Sequence, residues 1–252
     1  MVPLLVKTDT EDTVLANTTG VVARLMEGSI ESIQTVLDVE EGICKRLIKL
    51  MRHPHEKVSG NSLRVIGNVS AGNETQTMQI MQHNVLPTLL SLLETPQVKM
   101  RKDVFWTISN IAANNIDCIQ AIIDEDVVPT MIEMYSDEHD DVRNEIVWGI
   151  ANAIVSGSDT QVEYFVSQGS LQLLCGHLSE ADSDGPTVYV CLESLHKTLV
   201  PSGDEDNSVF ATRQALLLET RILDKLESWV EEDIDFVEDI VELLKGDMRL
   251  NE

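Results

Sequence analysis

A period of 42 residues is the feature that most constrains how this sequence can fold. Asn68, Asn110 and Asn152 follow one another at that interval, and Pro87 and Pro129 are separated by the same distance. Similar segments surround these positions, since LRVIGNVSAGN, FWTISNIAANN and VWGIANAIVSG align without a gap. Self-similarity at a fixed period of this length is typical of architectures in which each unit stacks on its neighbours to bury a continuous core.

Each period predicts three helices. A short first helix, as in TQTMQIMQ, leads to a turn, and Pro87 or Pro129 then lies in the first turn of a second helix, where a missing N–H is tolerated. The third helix is longer, has apolar residues at i, i+3, i+4 and i+7, and ends in a segment rich in small residues. No segment predicts a strand. A three-helix unit of this length indicates armadillo repeats, and hence an all-α fold: a right-handed α-solenoid, or α-α superhelix, whose third helices line a concave face.

The repeats divide the chain into a series of units. We predict a partial unit at 1–28, full units at about 29–72, 73–115, 116–157 and 158–200, a loop at 201–210, and acidic C-terminal capping helices at 211–252. The chain begins without an obvious capping repeat, so we expect that further repeats once stood before Met1.

The charge balance is strongly acidic, because 43 Asp and Glu outnumber 18 Lys and Arg and give a net charge of −25. Such a field repels nucleic acid and anionic membranes and attracts basic partners. An acidity that only keeps a large protein dispersed is an equally good explanation. No run of 18 apolar residues predicts a membrane span, and MVPLLVK is too short for a signal peptide, so we expect a soluble, intracellular protein.

The cysteines and histidines do not indicate catalysis or metal binding. The cysteines form no C-x-x-C pair, lack a histidine at zinc-ligand spacing, and are expected to be reduced core residues. They are Cys44, Cys118, Cys175 and Cys191. The histidines are scattered, DSDG at 182–185 lacks the other ligands of a calcium loop, and no P-loop or nucleophile-elbow motif occurs. We therefore expect no enzyme, no catalytic residue, no metal and no cofactor.

Two tryptophan–asparagine pairs recur in register with the period. Trp106 and Asn110 stand four residues apart in one third helix, which places them on one helical face. Trp148 and Asn152 repeat the arrangement in the next unit. Since a buried indole and a buried amide would each need a hydrogen-bond partner, we expect the pairs to lie beside the core. The core stripe itself is formed, around the first pair, by Val104, Ile108 and Ile111.

On a concave surface, such pairs suit the binding of an extended peptide. An asparagine amide can donate to one main-chain carbonyl and accept from one main-chain N–H, which reads the backbone without regard to sequence. Adjacent indoles form slots for the aliphatic stems of Lys or Arg, with cation–π attraction of roughly 0.5–2 kcal/mol each. An acidic groove would then select basic peptides. The alternative is that the tryptophans are rim packing and the asparagines helix surface, and two pairs in register plus Asn68 favour the binding surface.

The sequence closely resembles the importin-α (karyopherin-α) family of nuclear import adaptors. WTISNIAANNIDCIQAIID (106–124), LRVIGNVSAGN (63–73) and VSQGSLQLLCGHL (166–178) are similar to stretches of its armadillo repeats. The resemblance covers essentially the whole chain, is most specific in 57–178, and corresponds to the C-terminal half of the family. It implies an adaptor in the cytoplasm and nucleus that binds basic nuclear localisation signals (NLS) of cargo proteins, extended along a minor-site-like set of Trp/Asn pairs.

The same resemblance implies ten peptide-binding residues. They are Arg64, Asn68, Glu74, Lys102, Trp106, Ser109, Asn110, Glu145, Trp148 and Asn152. Arg64 stands where the family replaces the tryptophan partner of its asparagine by arginine, and Glu145 is the natural counter-charge for a ligand Lys or Arg. The alternative for Glu74 and Glu145 is solvated charge at a helix end, and Lys102 has the same alternative.

The chain also departs from the family. Gly20 and Arg24 occupy the Trp and Asn positions of the preceding repeat, and Val190 and Ser194 those of the following one. No basic N-terminal segment is present, which puts recruitment of importin-β in doubt, and we expect a fragment or a divergent homologue. The acidic end (230–244) resembles the last repeat, where the family's export receptor docks, although an acidic cap on the solenoid explains it equally well.

A second function remains open on the sequence alone. An armadillo scaffold could bind a different peptide partner in its groove, as catenin-type arrays do, without any transport role. The Trp/Asn pairs in register favour the import adaptor, because a generic scaffold does not need them.

Overall fold

Helices joined by short turns make up the part of the chain that the computed structural model describes, which is residue 5 and residues 10–40, 42–182, 184–200 and 207–246. Within those residues no strand occurs, and the all-α prediction is confirmed. None of the helices in these ranges is both long and apolar enough to cross a membrane.

The helices run in the following order. They are α1 (Asp12–Met26), α2 (Ile30–Leu37), α3 (Ile43–Leu50), α4 (Glu56–Ser70), α5 (Glu74–Met81), α6 (Val85–Leu92), α7 (Val98–Ala112), α8 (Ile116–Asp124), α9 (Val127–Tyr135), α10 (Asp140–Ser156), α11 (Asp159–Ser167), α12 (Ser170–Glu180), α13 (Val188–Leu199), α14 (Asn207–Glu219), α15 (Ile222–Trp229), a short 3₁₀ turn (Val230–Glu232) and α16 (Val237–Lys245). From α2 onward, two short helices and one longer helix alternate as far as α13.

Each short first helix begins at a side-chain cap. The capping residue accepts a hydrogen bond from the backbone N–H three residues further on, which satisfies one of the unpaired donors at the helix start. These caps are Ser29, Asn73, Asn115 and Ser158. A cap of this kind stabilises the helix by about 1 kcal/mol. The sequence therefore determines the residue at which the first helix of each repeat begins.

The turn into each short second helix uses left-handed backbone. The residue before the helix has a positive φ at Gly42, Asn84, Asp126 and Gly169. Glycine, asparagine and aspartate are the residues that adopt this conformation with least strain. Pro87 and Pro129 follow as the third residues of α6 and α9, which confirms their predicted place in a first turn.

The chain forms two compact units, residues 1–127 and 128–252. In the first unit, the long helices α1, α4 and α7 pack in sequence. The predicted core stripe is confirmed, since its three side chains in α7 are completely buried: Val104, Ile108 and Ile111. Two asparagines of α4 tie it to α1, because Asn61 Nδ2 donates to Ala16 O and Asn68 Nδ2 donates to Ala23 O, each at 2.9 Å.

In the second unit, α13 packs on α10, and α14, α15 and α16 cover the end. Lys197 Nζ donates to Val155 O (3.2 Å) and Gly157 O (3.4 Å), where it caps the C-terminus of α10. Trp229 is buried in the terminal helices. Residues 201–206 of the predicted loop lie outside the described part, and α14 begins at Asn207, so positions 207–210 are helical and not loop.

The two units differ sharply in charge. Residues 1–127 contain 11 Lys and Arg against 16 Asp and Glu, for a net charge of −5. Residues 128–252 contain 7 Lys and Arg against 27 Asp and Glu, for a net charge of −20. The acidity that the composition shows therefore belongs mainly to the second unit.

Candidate functional site

Trp106 lies half-buried on α7 in the first unit, seated against α4. A Cβ atom on Gly67 would overlap the indole Cζ3 and would lie 2.8 Å from Cε3. Glycine in a helix interior costs about 1 kcal/mol relative to alanine, so its presence here needs a packing reason. The missing side chain of Gly67 is what gives the indole its seat.

Arg64 lies over the same indole. Its Cζ is 5.6 Å from the ring centroid, within the range of a cation–π interaction. The guanidinium also pairs with Glu27 Oε1 at 3.4 Å, and each of these two side chains is a little under half exposed. Glu27, Arg64 and Trp106 thus form a row that crosses three consecutive long helices of the first unit.

The two asparagines of the first unit are not equivalent. Asn68 is only 6 % exposed, and one of its two amide N–H groups donates to Ala23 O. Asn110 is half-buried, and its Nδ2 lies 3.5 Å from Ser70 Oγ, the outer limit for a hydrogen bond. The Nδ2 contact of Asn110 is therefore much weaker than the hydrogen bond that Asn68 makes within the protein.

The other predicted residues of the first unit have structural contacts. Ser109 is buried, and its Oγ donates to Trp106 O at 2.9 Å. Glu74 is exposed at the start of α5, and its Oε1 accepts from Asn115 Nδ2 at 2.8 Å. Lys102 is half-buried on α7. Of this group, only Glu74 is fully at the surface.

A groove of about 700 Å³ runs beside this row, between the long helices of the first unit. Its charged lining residues are Arg24, Glu27, Glu56, Lys57, Arg64, Lys99 and Asp103. Four of the seven are basic, so the expectation of an acidic groove is wrong for the first unit. Burial raises the pKa of the Asp103 carboxyl, although Arg64, Lys99 and Lys102 oppose the shift.

The second unit places its three predicted residues on one face of α10. Glu145, Trp148 and Asn152 are all half-buried, and their spacing of three and four residues brings them to the same side of the helix. On the neighbouring α13, Val190 and Ser194 are buried, and Ser194 Oγ donates to Cys191 O at 2.7 Å. The second unit therefore carries one complete pair, at Trp148 and Asn152.

A second cleft, of about 470 Å³, lies elsewhere in the second unit and was missed by sequence reasoning. Arg143 Nη2 donates to Tyr135 Oη (2.9 Å) and to Glu180 Oε2 (2.8 Å). Tyr135 Oη in turn lies 2.9 Å from His177 Nδ1, and His177 Nε2 lies 2.6 Å from Thr187 Oγ1. Burial lowers the pKa of His177, with the Arg143 charge acting in the same direction. The one sequence feature that could have indicated this cleft is Arg143 itself, which has Asp140, Asp141 and Glu145 within three positions of it.

Reactive groups are scarce in the described residues. No cluster of three or more His, Cys, Asp or Glu in these ranges could hold a metal ion. All four cysteines are free and buried, as expected for core residues. Burial raises the pKa of the Cys44 and Cys175 thiols to about 11 and that of Cys191 further still, so their nucleophilic thiolate form is scarce at neutral pH.

Residues 73–113 match the family model described as the Armadillo/beta-catenin-like repeat. Curated relatives include importin subunit alpha-1a of Oryza sativa subsp. japonica, 34% identical over 73 residues, and importin subunit alpha-7 of Arabidopsis thaliana, 39% identical over 77 residues. The aligned stretches cover 29% and 31% of this chain, but only 14% of each relative. The similarity in sequence is therefore confined to a short part of those proteins.

Solved structures extend the likeness to nearly the whole chain. A designed armadillo repeat protein superposes with a TM-score of 0.82 at 21% identity and covers 98% of each chain. Another designed armadillo repeat protein, in complex with the peptide (KR)4, gives a TM-score of 0.79 at 23% identity over 97% of this chain and 96% of its own. The all-helical solenoid fold predicted from the 42-residue period is confirmed. The chain thus has the fold of armadillo repeat proteins and is similar, over a short stretch, to importin subunits alpha.

Proposed function

We propose that this chain is a nuclear import adaptor of the importin-α type, which binds basic NLS peptides of cargo proteins in an extended conformation. The observation that carries the proposal is a half-buried tryptophan with a half-buried asparagine one turn later on a long helix in each unit: Trp106 with Asn110, and Trp148 with Asn152. A half-buried indole offers one surface to a ligand while its packing holds it still. The relatives named importin subunit alpha support the same reading.

The ten predicted residues take different parts in this proposal. Asn110 and Asn152 contact the peptide main chain, and the two indoles contact the aliphatic stems of Lys or Arg side chains. Glu145 and Glu74 supply counter-charge. The remaining residues form the wall of the site and hold its shape: Arg64, Asn68, Lys102 and Ser109.

The wider role follows from the same proposal. An adaptor of this kind works in both cytoplasm and nucleus, and the strongly acidic helices from α15 to α16 are the place where an export receptor would dock. Recruitment of importin-β is not part of the proposal. The repeats at about 29–72, 73–115, 116–157 and 158–200 are the units that we propose as its building blocks.

A second function has one observation in its favour. The groove of the first unit is lined by four basic and three acidic residues, which does not select for a basic peptide. A scaffold that binds a peptide of another composition, without a transport role, would have such a groove. The peptide preference of the protein therefore decides between the two functions.

A titration with labelled peptides tests the proposal. Fluorescence anisotropy of (KR)4 should rise on addition of the protein, and the affinity should fall steeply as salt increases, because the contacts are ionic. An octapeptide in which Glu replaces Lys has the same length and no net charge and serves as the control. Equal binding of both peptides would support the scaffold, and no binding of either at micromolar protein would refute peptide recognition by this surface.

A further inference from the structure

The indole of Trp106 already has a cation on it. The guanidinium of Arg64 lies 5.6 Å from the ring centroid, and the two residues stand on successive long helices of the first unit. A Trp slot is attractive to a ligand ammonium or guanidinium because the ring face is rich in electron density. On the side of the ring that faces α4, this attraction is satisfied within the protein.

Glu27 holds the arginine in that place. Its carboxylate, just after the C-terminal end of α1, lies 3.4 Å from the Arg64 guanidinium. Arg64 therefore contacts both an opposite charge and an aromatic ring. Both side chains are close to half exposed, so peptides can reach them from the groove.

A ligand cation that approached this face of Trp106 would meet a like charge. Two unit charges within about 6 Å repel each other appreciably at the dielectric near a protein surface. Lys99 lines the same groove and adds to the repulsion, whereas Glu27 and Asp103 offset part of it. An uncharged or acidic peptide side chain meets no such penalty here.

We propose that Arg64 is a specificity-determining residue, an internal occupant of the Trp106 slot that is held there by Glu27 and disfavours a ligand cation next to Trp106. The proposal rests on the peptide-binding function above and narrows it: only the indole of Trp148 contacts a Lys or Arg stem, and the peptide residue beside Trp106 is uncharged or acidic. Arg64 then acts by repelling a positively charged peptide side chain from Trp106. A basic peptide binds through its other contacts, and Arg64 lowers its affinity.

The test compares how two substitutions that each remove a charge, Arg64→Gln and Glu27→Gln, change the affinity for (KR)4. Arg64→Gln should tighten the binding of (KR)4 by about three- to tenfold at low salt, since it removes a repulsive charge, and the gain should vanish at high salt. Glu27→Gln should weaken it, because Arg64 loses its counter-charge. Arg64→Lys keeps the charge and should bind like the unaltered chain. Arg52→Gln is the matched control, as Arg52 is exposed in the same unit outside the groove and contacts Ser91 and Pro87.

Tryptophan fluorescence in the absence of peptide checks the position of Arg64 on the Trp106 ring. In a Trp148→Phe background, Trp106 is the only tryptophan besides the buried Trp229, and Arg64→Gln should change its emission while Arg52→Gln should not. Unchanged emission would overturn the placement of Arg64 on the ring. If the unaltered chain binds (KR)4 and Arg64→Gln binds it equally or more weakly, the inference is overturned and the proposed function stands. Failure of the unaltered chain and every variant to bind (KR)4 would instead overturn the proposed function.

Discussion

The two units carry the same motif on the same kind of helix, but in different electrostatic surroundings. The first four charged positions of α7 and α10 show the contrast. In α7 they include Lys99, Arg101 and Lys102, whereas α10 starts with Asp140 and Asp141. The unit that contains Trp106 has a net charge of −5 and the unit that contains Trp148 has −20. A repeated pair of residues therefore does not imply a repeated binding preference, and we expect the second unit to favour basic ligands more strongly.

The largest expected effect is on peptide affinity at the second pair. Trp148→Ala should cost about 2 kcal/mol in the binding of a Lys/Arg-rich peptide, roughly a thirtyfold loss, as for a central interface tryptophan. Trp106→Ala should cost less, because its ring already bears an internal cation. Isothermal titration of both variants with the same peptide gives the comparison. A larger loss at Trp106 than at Trp148 would break the proposed difference between the units.

Next in size is the packing effect of a single methyl group. Gly67→Ala should destabilise the protein by about 1–3 kcal/mol, because its Cβ overlaps the Trp106 ring and the gain in helix propensity is smaller. Gly60 lies in the same helix with open space around its Cβ position, so Gly60→Ala should be neutral or stabilising. Urea unfolding of the two variants measures the difference. Equal stability would mean that Trp106 is not seated on α4.

Local features of the fold could be predicted from the sequence, whereas contacts between helices could not. The period, the helix triplets and the place of Pro87 follow from the sequence, because spacing and backbone chemistry are local properties. Asn84 and Asp126 could also have been identified as left-handed turn residues, since both recur at the same point of the repeat. The pairing of Glu27 with Arg64 could not, because it depends on which side chains of successive helices meet across a groove.

The asparagines illustrate the same limit at the candidate site. Repetition at 42 residues predicts one role for Asn68 and Asn110, yet Asn68 is buried and bonded to Ala23 O. The sequence around Asn68 contains no sign of this, because the acceptor is a backbone carbonyl 45 residues earlier. An amide that binds the fold and an amide that binds a ligand look alike until the packing of the helices is known.

A smaller effect separates the two asparagines. Asn68→Ala should lower the free energy of unfolding by about 1 kcal/mol, because it leaves the Ala23 carbonyl without its partner. Asn110→Ala should leave stability nearly unchanged and weaken peptides of different sequence by a similar factor, since its proposed contact is with main chain. Thermal unfolding and anisotropy on both variants provide the two measurements. Loss of stability in Asn110→Ala as large as in Asn68→Ala would remove the distinction.

The smallest expected effect is a pH dependence confined to the second unit. Burial and the Arg143 charge lower the pKa of His177 below its ordinary value of 6.5, so the folded unit takes up this proton less readily than the unfolded chain. Stability should therefore be unaffected above the unfolded pKa and should fall as the pH drops through it, down to the lowered pKa of the folded state. His177→Gln can still hydrogen-bond but does not titrate, so it should reduce this acid sensitivity, whereas His83→Gln, at an exposed position in the first unit, should not. Urea unfolding between neutral pH and pH 5 makes the measurement, followed through the buried Trp229 of the second unit in a background where Trp106 and Trp148 are replaced by phenylalanine. If both variants kept the full acid sensitivity, the network of Tyr135, Arg143 and His177 would not be its source, and the difference between the units would lie in their ligand preference alone.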